Sequence, residues 1–230
     1  MSIIRKDLLK AAAVFLLLIS PASAGELLVY SSTDADNLKY YMDEFQKDYP
    51  DIKVNVVRES TGTMAAKMMA EKDNPQADVL FEMAATVALN MEEAGMFHPY
   101  TPKGMDEIDQ RYVDKEGEVN WVGNYGWAGC ICWNTVEAEK LGLPKPTKWS
   151  DLTNPVYKGL ISMPNPNSSG TGFLDVSSWI QIMGEKAAWE YMDKLHSNVA
   201  VYTHSGSKPC KQAGAGEFPI GISWPGRAIK

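Results

Sequence analysis

Hydroxyl groups, several of them beside glycine, are the residues of this chain best placed to do chemistry. They fall in four short stretches: Ser31-Ser32-Thr33, Thr61-Gly62-Thr63, Ser168-Ser169-Gly170-Thr171-Gly172 and Ser205-Gly206-Ser207. Each follows an apolar or β-branched run and opens onto a helical pattern. Hydroxyl donors beside the unsatisfied N–H groups of a helix start, under a favourable dipole, make an anion site that needs no net positive charge. A single such hydroxyl is equally well explained as an N-cap. Four of them at equivalent positions go beyond what capping requires, and the two glycines of 168–172 let backbone come close to a ligand. Glu82, just past a predicted strand, reads either as the counter-charge for a ligand cation or as a helix-start carboxylate. Tyr125, with Trp127, reads either as a stacking surface or as hinge core. The candidate ligand-binding set is therefore Ser32, Thr33, Thr61, Gly62, Thr63, Glu82, Tyr125, Ser168, Ser169, Gly170, Thr171, Ser205 and Ser207.

The other reactive residue types offer less. Cys130, Cys132 and Cys210 are an odd count, so at least one thiol is free. They read as small buried hydrophobes with one structural bridge, from either Cys130 or Cys132 to Cys210. Cys130 and Cys132 share one face of an extended segment, yet His98, His196 and His204 stand at no zinc spacing to them, and no metal site is expected. Met64, Met68 and Met69 read as core filling rather than a copper site. Ser205-Gly206-Ser207-Lys208 matches the S-x-x-K pattern of serine acyltransferases, but Pro209 puts Lys208 ahead of the next helix instead of one turn inside it, and no S-D-N or K-T-G follows. G-x-S-x-G, H-E-x-x-H and G-x-x-x-x-G-K-[ST] are all missing from the sequence. The reading is a binding protein that uses no cofactor, not an enzyme.

What positions the loops is an alternation of short apolar runs with helical spacing, the pattern of an α/β fold with helix-covered parallel sheets. Strands are predicted at Leu27 to Tyr30, Ile52 to Val57, Asp78 to Phe81, Leu160 to Met163, Val199 to Tyr202 and Ile220 to Ser223. Leu38, Tyr41, Met42, Phe45 and Tyr49 recur at helical spacing up to Pro50, and a second helix is expected from Met64 to Glu71. Residues 99–120 are polar and irregular, and Trp121 to Trp133 reads as extended, so a crossover between lobes is placed there. The domain reading is a leader at 1–24, a first lobe at 25–122 and a second at 123–230. The chain stops at Lys230 directly after a strand without a closing helix. That predicts a C-terminally truncated sequence whose first lobe lacks its returning segment.

The leader is read from Arg5, Lys6 and Lys10, the apolar run Ala11 to Ile19, and Ala22-Ser23-Ala24, which together make a secretory signal peptide. Export places the chain in the periplasm, soluble and not inserted in a membrane after cleavage. Of 22 basic and 29 acidic residues, the leader holds three and one, leaving 19 against 28 and a formal charge of -9. That balance, with a pI near 5.0 for the whole chain, excludes a nucleic-acid binder. A composition 45% hydrophobic and 22% charged over 230 residues excludes disorder and supports a sizeable core.

With these features assembled, the chain from about Leu27 to Arg227 resembles the solute-binding proteins of bacterial ABC importers, in the branch that holds ferric-ion and 2-aminoethylphosphonate binders. Met163 to Leu174, reading MPNPNSSGTGFL, and Tyr202 to Cys210, reading YTHSGSKPC, are similar to the aminoethylphosphonate subgroup. The resemblance implies a two-lobed type II periplasmic-binding-protein fold, hinge closure on the ligand and delivery to a membrane permease. It also implies that Ser169, Gly170 and Thr171 donate to a phosphonate, joined by Ser205, Ser207 and a hydroxyl from Thr33 or Thr61. Glu82 as partner of the ligand ammonium is an inference from charge and position. Ferric binders carry a tyrosine pair after the last strand, where this chain has Trp224-Pro225. Binding of ferric ion or another small anion is the alternative, and a secreted serine hydrolase the distant one.

Overall fold

The fold is taken from a computed structural model that describes residues 25–114 and 119–229. The predicted leader lies outside the described residues. Four successive apolar residues, Leu27 to Tyr30, form the middle of a strand that is hydrogen-bonded on both sides, where no polar alternation is needed. This strand, β1 (Glu26–Ser31), lies between β2 (Lys53–Arg58) and β3 (Val79–Phe81), all parallel, with Val29 opposite Val56 and Val79. Three helices alternate with them: α1 (Ala35–Asp48), α2 (Thr61–Ala70) and α3 (Ala85–Glu93). Tyr30, Met64, Met68, Val87 and Met91 make the buried cluster between sheet and helices. The core-filling role holds for Met64 and Met68, but Met69 is exposed, because one further residue turns it about 100° off the buried stripe.

The second sheet runs in the order β4-β7-β5-β6, from β4 (Cys130–Trp133), β5 (Ile161–Pro164), β6 (Val199–Thr203) and β7 (Ile220–Ser223). β4 pairs antiparallel with β7, against the expectation of an all-parallel sheet. The chain reaches β4 along an extended stretch rather than through a crossover helix, so nothing imposes the parallel direction. Within the extended stretch predicted from Trp121 to Trp133, only β4 is a strand, together with a single bridge between Val113 and Val122. Five helices accompany this sheet: α4 (Thr135–Lys140), α5 (Gly170–Met183), α6 (Glu185–His196), α7 (Lys208–Gly214) and α8 (Pro225–Ala228).

Two helix starts differ from the sequence reading. α2 begins at Thr61 rather than Met64, so Thr61, Gly62 and Thr63 form its first turn and not a loop. α7 begins at Lys208 itself, with Ser207 in the N-cap position. α8 also corrects the expectation that no helix follows the last strand; Pro225 opens it, with φ preset for a first helical turn. Among the described residues no helix is long and apolar enough to cross a membrane.

The second core gathers Leu152, Tyr157, Ile161, Met163, Trp179, Tyr191, Leu195, Ile220 and Ile222. Trp179 meets Trp149 and Tyr191 edge to face at 5.5 and 5.1 Å. Beside this aromatic group Asp175 is buried, and its Oδ2 and the Trp179 Nε1 have no hydrogen-bond partner among the described residues. Burial pushes the Asp175 carboxyl up from 3.8 to about 8. The unfolded chain releases this proton near its ordinary value while the fold keeps it, so between about pH 4 and 8 stability falls as pH rises. Asp175→Asn is therefore expected to raise Tm at pH 9 by about 2–12 °C, from a cost of about 1–3 kcal/mol for a buried unsatisfied group. At pH 4 it should change Tm little. A Tm difference that is the same at both pH values would contradict this account.

Candidate functional site

In open α/β sheets, ligands sit beyond the carboxyl ends of the strands where neighbouring connections diverge to opposite sides. β1 lies between β2 and β3, and β5 between β6 and β7, so each sheet has such a point. The loops leaving these ends meet around one cavity of about 820 Å³. From the first sheet come Ser32, Thr33 and Asp34 after β1, Arg58 at the end of β2, Thr61 opening α2, and Glu82 after β3. From the second come Ser169, Gly170 and Thr171 opening α5, and Ser205, Gly206 and Ser207 after β6. Tyr125 and Trp127 close it from the stretch before β4.

Three members of the candidate set are not on the cavity wall. The Gly62 N–H donates to the Ser168 carbonyl at 2.9 Å, so these two join the first turn of α2 to the loop ahead of α5. The Ser168 hydroxyl donates to the His204 carbonyl at 3.0 Å. Thr63 is exposed, because two residues of helix carry it about 200° around from Thr61. The contact between these segments depends on glycine. A Cβ on Gly62 would sit 2.1 Å from the Asn167 carbonyl oxygen, and one on Gly170 would sit 2.6 Å from Thr61 Oγ1.

Capping explains some of the hydroxyls and not others. Ser169 is the N-cap of α5, its Oγ accepting from the Gly172 N–H at 3.4 Å. Thr171 lies inside the helix, buried and facing the cavity, where no cap is needed. Ser207 holds the N-cap position of α7, yet its side chain makes no cap bond. The first turn of α5 thus presents backbone N–H groups and the Thr171 hydroxyl to the same space as Ser205 and Ser207.

Of the charged residues here, Glu82 was among the candidates, but Arg58 and Asp34 were missed by reading hydroxyl motifs. Arg58 ends β2 and donates through Nε to the Thr33 carbonyl at 2.8 Å, with Nη2 3.7 Å from Asp34 Oδ1. Its place at the carboxyl end of a predicted strand was the signal available. Asp34, buried, is also bound by Arg227 Nε at 2.5 Å, and Arg227 Nη2 reaches Asp36 at 2.6 Å. The guanidinium of Arg58 therefore stands on the wall beside the hydroxyls, fixed by a backbone carbonyl and a carboxylate.

Glu82 is the one non-glycine residue with a left-handed backbone among those described, at φ 53°. Such a conformation costs about 1–3 kcal/mol and persists where the surroundings impose it, commonly at ligand sites. The Ser32 hydroxyl donates to the Glu82 carbonyl at 3.0 Å, and Asn124 Nδ2 donates to Oε1 at 3.0 Å, which hold the carboxylate at the cavity. Tyr125 is half exposed; burial, then the charge of Glu82, pushes its phenol up to about 12. The charge of Glu82 also raises the Tyr41 phenol. Both are neutral donors at physiological pH.

Comparison with known proteins gives a consistent result. The sequence profile of the family described as bacterial extracellular solute-binding protein matches residues 31–230. The Sinorhizobium fredii protein named "Probable ABC transporter periplasmic-binding protein y4fP" is 24% identical over 228 residues, 95% of this chain and 61% of its own length. Among solved structures, the periplasmic binding protein AfuA from Actinobacillus pleuropneumoniae, with fructose-6-phosphate bound, superposes with a TM-score of 0.81 at 33% identity, covering 90% of this chain and 65% of its own. Iron-bound HitA from Pseudomonas aeruginosa is similar in fold, with a TM-score of 0.71 at 20% identity over 87% of this chain and 63% of its own. The chain spans 60 to 61% of the length of the curated relatives it matches.

Proposed function

The chain belongs to the family of bacterial extracellular solute-binding proteins, and from that premise we propose that it is the binding component of an ABC importer, holding a small organic phosphate or phosphonate for its permease. The observation that carries this reading is the convergence of Arg58, Thr171, Ser205 and Ser207 with the start of α5 on one cavity. A tetrahedral dianion satisfies all of these at once: helix-start N–H groups, hydroxyl donors and one guanidinium that is already held in place. Two sources share that chemistry. The Glu82 carboxylate, which also lines the cavity, suits the ammonium of 2-aminoethylphosphonate, while the relative solved with fructose-6-phosphate favours a sugar phosphate. A ferric-ion reading has less support, since β7 leads into Trp224-Pro225, which offer no phenolate.

Calorimetric titration with 2-aminoethylphosphonate, fructose-6-phosphate, inorganic phosphate and ferric citrate tests the proposal. Saturable binding of one organic ligand is expected. Thr171→Ala and Arg58→Met should each weaken it about 10- to 150-fold, the equivalent of about 1.5–3 kcal/mol for a hydrogen bond to a charged group. Glu82→Gln separates the sources: it should weaken the aminophosphonate strongly and the sugar phosphate little. Heat from ferric citrate alone would overturn the substrate class.

A further inference from the structure

β4 carries Cys130 and Cys132 two residues apart on an extended strand, so both side chains leave the same face. That face meets α7, which carries Cys210. Cys132 and Cys210 are joined as a disulfide, and Cys130 is free. The sequence left open which cysteine bridges to Cys210. In the structure all three Sγ atoms lie within 4.8 Å of one another. Cys132 and Cys210 are buried and Cys130 is partly accessible, so a thiol in solution meets Cys130 before either bridged sulfur.

We propose that these three residues form a thiol–disulfide exchange centre: the Cys130 thiolate attacks Cys210 Sγ, the Cys130–Cys210 bond forms, the Cys132–Cys210 bond breaks, and Cys132 leaves as the thiolate. No external oxidant or reductant takes part. One thiol and one disulfide stand on each side, and the proton that Cys130 gives to solvent is regained at Cys132. Either bridge ties β4 to α7, but the attachment moves two residues along the strand, about 7 Å, toward Tyr125 and Trp127 on the cavity wall. The centre is a staple with two positions.

The surroundings of Cys130 set the rate. Burial, then the charge of Asp175 on α5, pushes its thiol up to about 11. β7 brings no ionisable side chain to it. On α7 Lys208 and Lys211 are exposed, and on α8 Arg227 is engaged by Asp34 and Asp36. Thiolate is scarce at neutral pH, and exchange should accelerate with pH by up to about tenfold per unit, less where Asp175 ionises near pH 8.

The test is to hold the chain at pH 7 and pH 9 without oxidant or reductant, trap free thiols with a maleimide at pH 5, and map the peptides by mass spectrometry. Label is expected on Cys130 at first and then on Cys132, with the Cys130–Cys210 peptide appearing about 10- to 100-fold faster at pH 9. The rate should not depend on protein concentration. Cys130→Ser, which keeps the Cys132–Cys210 bridge, should show no second pairing and slower reduction by a small thiol. Label confined to Cys130 after prolonged incubation at pH 9, in protein whose circular dichroism is unchanged, would overturn the proposal. So would exchange that slows on dilution, since it would then run between chains.

Discussion

Arg227→Met is expected to lower the unfolding free energy by about 3 kcal/mol, and Tm by about 6–12 °C for a chain of this size. The Arg227 side chain is 7% exposed and its Nε lies 2.5 Å from Asp34 Oδ2. Asp34 is buried too, so methionine in place of the guanidinium strands a carboxylate away from water, the change that costs most when a buried pair is broken. The figure is at the lower end of the usual 3–5 kcal/mol because Arg58 Nη2 remains 3.7 Å away. Asp36 contributes little to this sum: half exposed, it is solvated with or without its partner. Urea denaturation measures the loss, and the double variant Arg227→Met/Asp34→Asn supplies the check. Removing the stranded charge should recover most of the stability. If the double variant is no better than the single one, the cost comes from lost packing around Arg227 and not from the carboxylate. The pair also ties α8 to the residues after β1, where Ser32 and Thr33 reach the cavity, so the single variant should weaken ligand as well.

This pair shows where reading the sequence stops. Asp34 and Arg227 are 193 residues apart, and nothing in either local pattern points to the other. The strands were legible because runs such as Leu27 to Tyr30 and Val199 to Tyr202 are apolar whatever surrounds them. The direction of β4 was not, because it depends on the path of the preceding stretch and not on its own side chains. The hydroxyl loops could be found from type and spacing, yet which face Thr63 would take hung on whether α2 began at Thr61 or three residues later. The cysteine pairing was undetermined for a related reason: Cys130 and Cys132 present the same face to Cys210, and the choice lies in distances the sequence does not carry.

Gly206→Ala is expected to reduce ligand affinity at least about 100-fold while leaving the protein folded. A Cβ at this position would lie 2.1 Å from Thr171 Oγ1, 2.6 Å from Thr171 Cβ and 3.0 Å from Ser169 Oγ. Rotating the Thr171 side chain does not relieve this, because its Cβ is part of the clash and is fixed by the first turn of α5. The loop that carries Ser205 and Ser207 must then move away from Thr171, and the hydroxyls proposed to converge on one tetrahedral anion can no longer do so. Losing two such bonds to a charged group, each about 1.5–3 kcal/mol, gives the expected drop. The overpacking itself should cost about 1–3 kcal/mol of stability, small enough to leave a cooperative unfolding transition. Gly214→Ala is the control. It lies at the end of α7, where a Cβ meets nothing within 4 Å, and alanine there should leave affinity unchanged and add up to about 1 kcal/mol through helix propensity. Wild-type affinity in Gly206→Ala would mean that Thr171 and the 205–207 loop do not act on the ligand together, and the anion would have to be sought nearer Arg58 and Thr61.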